Sequence, residues 1–112
     1  MSASVQELSD RTEGAFGFLS GAGFELRKRK FVSPESFKGG FVLTYAGLGG
    51  EIVVQYLDMQ LEISRKGQEL FGRRTHPGFS GNTFSRDHLI QYVDEIGDIV
   101  KKAIVEGDKD AV

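Results

Sequence analysis

Chemistry needs particular side chains at particular spacings, and this chain offers few. Its only imidazoles are His76 and His88, and it has no cysteine. A catalytic zinc takes three protein ligands at definite spacing. Two histidines twelve positions apart, with no supporting carboxylate pattern, do not build such a site. The lack of cysteine excludes disulfides, thiolate nucleophiles and cysteine-built zinc sites. The stretch Gly78-Phe79-Ser80-Gly81-Asn82 approaches the G-x-S-x-G nucleophile elbow, with His76 near enough to be a base, but Asn82 stands where the last glycine belongs. The strand-turn-helix setting of an elbow is also missing, so a loop is the better reading. Gly21-Ala22-Gly23-Phe24-Glu25-Leu26 carries two glycines of a dinucleotide fingerprint and Leu26 in place of the third. It leads from helix into strand, which is the wrong order for offering a helix N-terminus to phosphate. The chain has no P-loop sequence, and Asp94-Glu95 reads as a solvated helix face. No catalytic residue, metal or cofactor is expected.

The densest charge feature is Arg27-Lys28-Arg29-Lys30. On a strand, successive side chains go to opposite faces, so the run splits. Continuing the alternation of Phe24 and Leu26 sends Lys28 and Lys30 to the core side near its rim, with their stems laid over apolar neighbours. Arg27 and Arg29 then face outward. Lysines at a sheet margin guard against edge-to-edge aggregation, and that role competes with a partner-binding one. Arg73 and Arg74, beside His76, extend the basic patch if their loop folds back. The candidate partner-binding set is therefore Arg27, Arg29, Thr44, Gln55, Arg73, Arg74 and His76. An alternative use of Arg73, Arg74 and His76 is a loop-lined cleft for an anionic ligand.

Those residues need a scaffold, and the pattern supplies one. The chain is 112 residues, the length of one domain, with 39% apolar and 27% charged residues. Ser4, with Glu7 three residues on, opens a helix over about 4–20, along which Val5, Leu8, Thr12, Ala15, Phe16 and Leu19 form one stripe. Gly14 and Gly17 in that helix invite close approach by another element, and Gly21 or Gly23 ends it. Between 24 and 64 the period becomes two. Phe41, Leu43 and Tyr45, then Ile52, Val54 and Tyr56, then Leu61 and Ile63 alternate with more polar neighbours. Gly47-Leu48-Gly49-Gly50 reverses the second strand into the third, and Asp58-Met59 the third into the fourth. Residues 65–84 read as loop, although Glu69-Leu70-Phe71 fits either a short fifth strand or one helical turn. Ser85 caps a last helix over about 86–105, striped by Leu89, Val93, Ile96, Val100, Ala103 and Ile104. The fold class is α+β, a four- or five-stranded antiparallel meander with both helices on one face.

Charge narrows the function. Lys and Arg total 14 against 16 Asp and Glu, a net charge of −2, with a pI near 5.7. By segment, residues 1–21 carry −2, 22–84 carry +3 and 85–112 carry −3. The sheet is mildly basic and the helices acidic, which gives the whole domain no electrostatic case for nucleic acid or membranes. No apolar run is long enough to span a bilayer, and residues 1–7 lack the basic and apolar parts of a secretion signal, so the expected location is cytoplasmic.

Phe18-Leu19-Ser20-Gly21-Ala22-Gly23-Phe24, then Tyr45-Ala46-Gly47-Leu48-Gly49-Gly50-Glu51-Ile52-Val53-Val54 and Leu61-Glu62-Ile63, resemble small cysteine-free bacterial immunity-type proteins encoded beside secreted toxins. In these a helix ending in Gly-Phe leads into an antiparallel meander. The likeness covers about residues 5–64 and brings no catalytic motif. It implies only binding to one protein partner, itself unnamed; the expected role is a non-enzymatic protein-binding one, that of an immunity factor neutralising a toxin. The alternatives are the anionic-ligand cleft and a homodimer formed through the open sheet face.

Overall fold

The computed structural model describes residues 4–33, 39–47, 50–72 and 85–110, for 105–110 the backbone alone. Helix α1 (Val5–Ala15) starts where Ser4, in extended conformation, accepts a 3.0 Å hydrogen bond from the Glu7 N–H. That bond satisfies one of the free donors of the first turn. The single helix expected over 4–20 is in fact two. Phe16 and Gly17 break the run, and one further turn, α2 (Phe18–Gly21), follows. Gly23, at φ +90°, then swings the chain into the sheet through a conformation that side chains disfavour.

Five strands pair antiparallel in chain order: β1 (Phe24–Val32), β2 (Gly40–Gly47), β3 (Gly50–Leu57), β4 (Gln60–Arg65) and β5 (Gln68–Phe71). Of the two expectations for Glu69-Leu70-Phe71, the strand is correct, and of the stretch expected as loop the residues Gln68–Phe71 are β5, while 73–84 lie outside the described residues. Asp58 and Met59 both have positive φ, as do Lys66 and Gly67, so tight two-residue turns join β3 to β4 and β4 to β5. The last helix, α3 (Arg86–Asp110), runs five residues past the expected end. Ser85 caps it, its hydroxyl accepting from the His88 N–H at 3.2 Å.

One apolar core joins these elements. The helix stripes Val5, Leu8, Phe16 and Leu19 and Leu89, Ile96, Val100 and Ile104 pack on one sheet face with Phe41, Leu43, Ile52, Val54, Tyr56, Ile63 and Phe71. Both helices therefore lie on the same side, as the patterning requires. Thr12, within the α1 stripe, stays buried because its hydroxyl donates to the Leu8 carbonyl at 2.7 Å. Gly14 and Gly17 are not where helices meet, since a Cβ on Gly14 would find nothing within 4 Å. The close approach is at Gly97 of α3, where a Cβ would lie 2.9 Å from the Ala15 carbonyl oxygen.

The expected faces of β1 are reversed beyond Leu26. Pairing with β2 slips by one residue between Leu26 and Lys28, a β-bulge at Arg27. A bulge moves every later side chain to the other face. Leu26 lies opposite Tyr45 on the core side, but after the bulge Arg29 lies opposite Leu43 and Phe31 opposite Phe41, both core-facing partners. Lys28 and Lys30 lie opposite Thr44 and Val42 and so point outward. Expected as core, Leu26 is instead 36% exposed, beside the bulge on an edge strand.

Candidate interaction surface

Two surfaces stand out among the described residues: a groove on the helix side of β1 and the outer face of the sheet. The groove, about 300 Å³, is lined by Glu13, Phe16, Gly17, Ser20, Phe24, Glu25, Leu26 and Tyr45. Arg29 reaches across from β1 to α1, its Nη1 donating to Glu13 Oε2 at 2.7 Å and to Asp10 Oδ1 at 3.4 Å, while its guanidinium sits 5.5 Å from the Phe31 ring centre. Glu25 is paired with Arg27 at 3.4 Å, both side chains well exposed. Burial, with the Glu13 carboxylate adding repulsion, pushes the Tyr45 phenol up to about 12. A general base needs a pKa near the working pH, and this shift goes the other way. The groove thus has two carboxylates, each paired with an arginine, and a phenol held in its protonated form.

The outer face is built by register. Lys28, Thr44, Val53, Ser64 and Glu69 follow one another across the five strands, and Lys30, Val42, Gln55 and Glu62 form the next row. Its middle is aliphatic and polar, with Val42, Ala46, Val53 and Leu57 beside Thr44, Gln55 and Ser64, all half-buried, and it carries one exposed charge, Glu51, opposite Ala46 at one end of β3. Its flanks are charged. Lys28 and Lys30 are exposed at the β1 margin, Glu62 is exposed on β4, and Glu69 lies on β5. Among the described residues, Lys28, Lys30 and Glu62 make no ion pair.

Of the residues singled out from sequence, Thr44 and Gln55 sit together in the middle of this face. Arg27 is at its β1 edge, held toward Glu25. Arg29 is not on it; it is tied to α1 on the other side. Arg73, Arg74 and His76 lie outside the described residues, so the proposed anionic cleft does too. The residues missed are Lys28 and Lys30. Phe31 held the signal, since an aromatic out of phase with Phe24 and Leu26 on one strand requires an inserted residue between them.

No family model, curated protein or solved structure matches the chain. Among the described residues, no helix is long and apolar enough to cross a membrane and no three His, Asp or Glu side chains cluster as metal ligands would.

Proposed function

We propose that the protein is a non-enzymatic protein-binding domain whose contact surface is the outer face of the sheet. What supports this reading is the half-buried strip of Val42, Val53 and Leu57 with exposed charges around it, Lys28 and Lys30 on β1, Glu51 on β3 and Glu62 on β4. Both helices spend their apolar stripes on the opposite face. No described helix or strand covers the strip. An interface with an apolar middle and a charged rim has this composition. A toxin is the partner class that the immunity-type likeness implies, and a second copy of the chain is the other class.

The test is a pair of outward charges in the strip, Val42→Glu with Val53→Glu. Proteins that co-purify with the wild-type chain from its native source should be lost, while the unfolding midpoint stays within a few degrees. A partner retained at wild-type yield by the double variant overturns this assignment of the surface.

A further inference from the structure

Apart from the strip on its outer face, the sheet has an open margin. β1 is the first strand in the sheet, and among the described residues no strand pairs with its other side. Residues 25–30 are all exposed in succession, where β2 and β3 alternate. An edge strand turns alternate N–H and C=O groups away from its neighbour, a template for one more strand. The bulge at Arg27 and the positive φ of Ser33, 43°, bound this margin. Between them residues 28–32 keep an unbroken register with β2, a regular segment about 17 Å long. β5, at the other margin, has only four residues, and its register with β4 shifts.

The charges of that segment choose the strand it takes. Lys28 and Lys30 share the outer face, in line with uncharged Thr44 and Val42 on β2 and Val53 and Gln55 on β3, and make no ion pair among the described residues. Glu25 and Glu51, the acids nearest by register, belong to the next row on the far side of the bulge, and Glu25 is held by Arg27 at 3.4 Å. Glu62 and Glu69 are on β4 and β5, three and four strands away. On the helix side Arg29 is already neutralised by Glu13 and Asp10, with half-buried Phe31 beside it. We infer that residues 28–32 bind an extended acidic segment of a partner protein as a sixth, antiparallel strand. Successive side chains of an added strand take opposite faces, so acids at every second position meet Lys28 and Lys30. The residues between them lie beside Arg29 and Phe31, where no charge is called for and apolar side chains suit the ring. Main-chain hydrogen bonds supply the attachment, and the alternation supplies the selectivity. Lysines and a bulge on an edge also deter unwanted pairing, and the two roles agree. A second β1 set edge to edge would bring lysines against lysines and is rejected, whereas an acidic strand is drawn in.

The test titrates two capped heptapeptides into the full chain by calorimetry, one alternating valine with glutamate and the other valine with lysine. The glutamate peptide should bind about tenfold more tightly than the lysine peptide. Lys28→Glu with Lys30→Glu should reverse that order, which also shows that the variant is folded. Amide hydrogen exchange should slow within residues 28–32 when the glutamate peptide is bound to the wild-type chain. Two further glutamate peptides, N-methylated on every valine or on every glutamate, separate strand addition from attraction of charge alone. One set of nitrogens faces β1 and the other faces away, so one of these peptides should fail and the other should bind. No binding of the glutamate peptide, equal binding of the lysine peptide, or equal binding of both methylated peptides overturns the inference. Val42 and Val53 stay unaltered throughout, so a failure here removes the edge site and leaves the outer-face strip to its own double variant.

Discussion

Among the described residues, Tyr45 and Tyr56 are the two side chains whose burial carries a direct pH consequence. Both phenols are raised above their usual value of 10.0, Tyr45 to about 12. For Tyr56 the cause is burial, opposed in part by Arg86. In the unfolded chain a phenol loses its proton near pH 10, while folded Tyr45 holds it until about 12. Over that window the unfolded state binds fewer protons than the native state, so stability falls as pH rises and is unaffected below it. At about 1.4 kcal/mol per pKa unit, the loss attributable to Tyr45 is on the order of 2 kcal/mol. Urea unfolding between pH 8 and 12, followed by circular dichroism, should show this decline, shallower in Tyr45→Phe. An identical slope in that variant would place the loss on other groups. Arg29 and Arg27 make the complementary point. They are two residues apart and both ion-paired, but one ties the edge strand to α1 and the other only meets its neighbour Glu25 in solvent.

At the scale of elements, helix contact and strand parity decide what each glycine and each bulge is for. Gly14 and Gly97 are both helical, yet the same substitution should have opposite signs. Gly14→Ala adds a methyl in open space and removes a flexible residue, a gain of about 0.5 kcal/mol this close to the end of α1. Gly97→Ala has the same intrinsic gain, but its methyl presses on the Ala15 carbonyl oxygen at 2.9 Å. Parting α1 from α3 to make room should leave a net loss of about 1 kcal/mol. Thermal unfolding of the two variants side by side reads both signs, and a stabilised Gly97→Ala would mean that the crossing is looser than described. Much of this organisation was legible in the residues: the Ser4 and Ser85 caps, the period-two strands from Phe41 to Ile63, and the Asp58-Met59 turn all follow from local chemistry. What was not legible depended on three-dimensional context. Gly97 looks like any helical glycine until another helix crosses it. The bulge at Arg27 shows in sequence only as an aromatic out of phase, and missing it exchanged Arg29 for Lys28 and Lys30 on the outer face. The break at Phe16-Gly17 is hidden because the apolar stripe runs through it without interruption.

At the scale of the whole molecule, folding and association rest on different forces and should separate under salt. The fold is held by burial, each fully buried Leu, Ile or Phe contributing about 1.5–3 kcal/mol, whereas a solvent-exposed ion pair such as Glu25–Arg27 contributes at most about 1 kcal/mol. The basic run at 27–30 does not act as a block: Arg27 and Arg29 are neutralised by carboxylates of the same chain, which leaves Lys28 and Lys30 to act on what lies outside. Between about 0.05 and 1 M salt the screening length shrinks to about 3 Å, shorter than any solvent-bridged pair. Partner binding at the outer face, whose exposed charges include Lys28, Lys30 and Glu62, should therefore weaken several-fold over that range. The unfolding midpoint of the free chain should scarcely move, because little of its stability is screened. Sedimentation and urea unfolding along one salt series test the two halves together. Association that strengthens with salt would mean that the aliphatic strip acts alone and the charge register on its flanks selects nothing. A midpoint falling in step with association would mean that the ion pairs hold the fold as well.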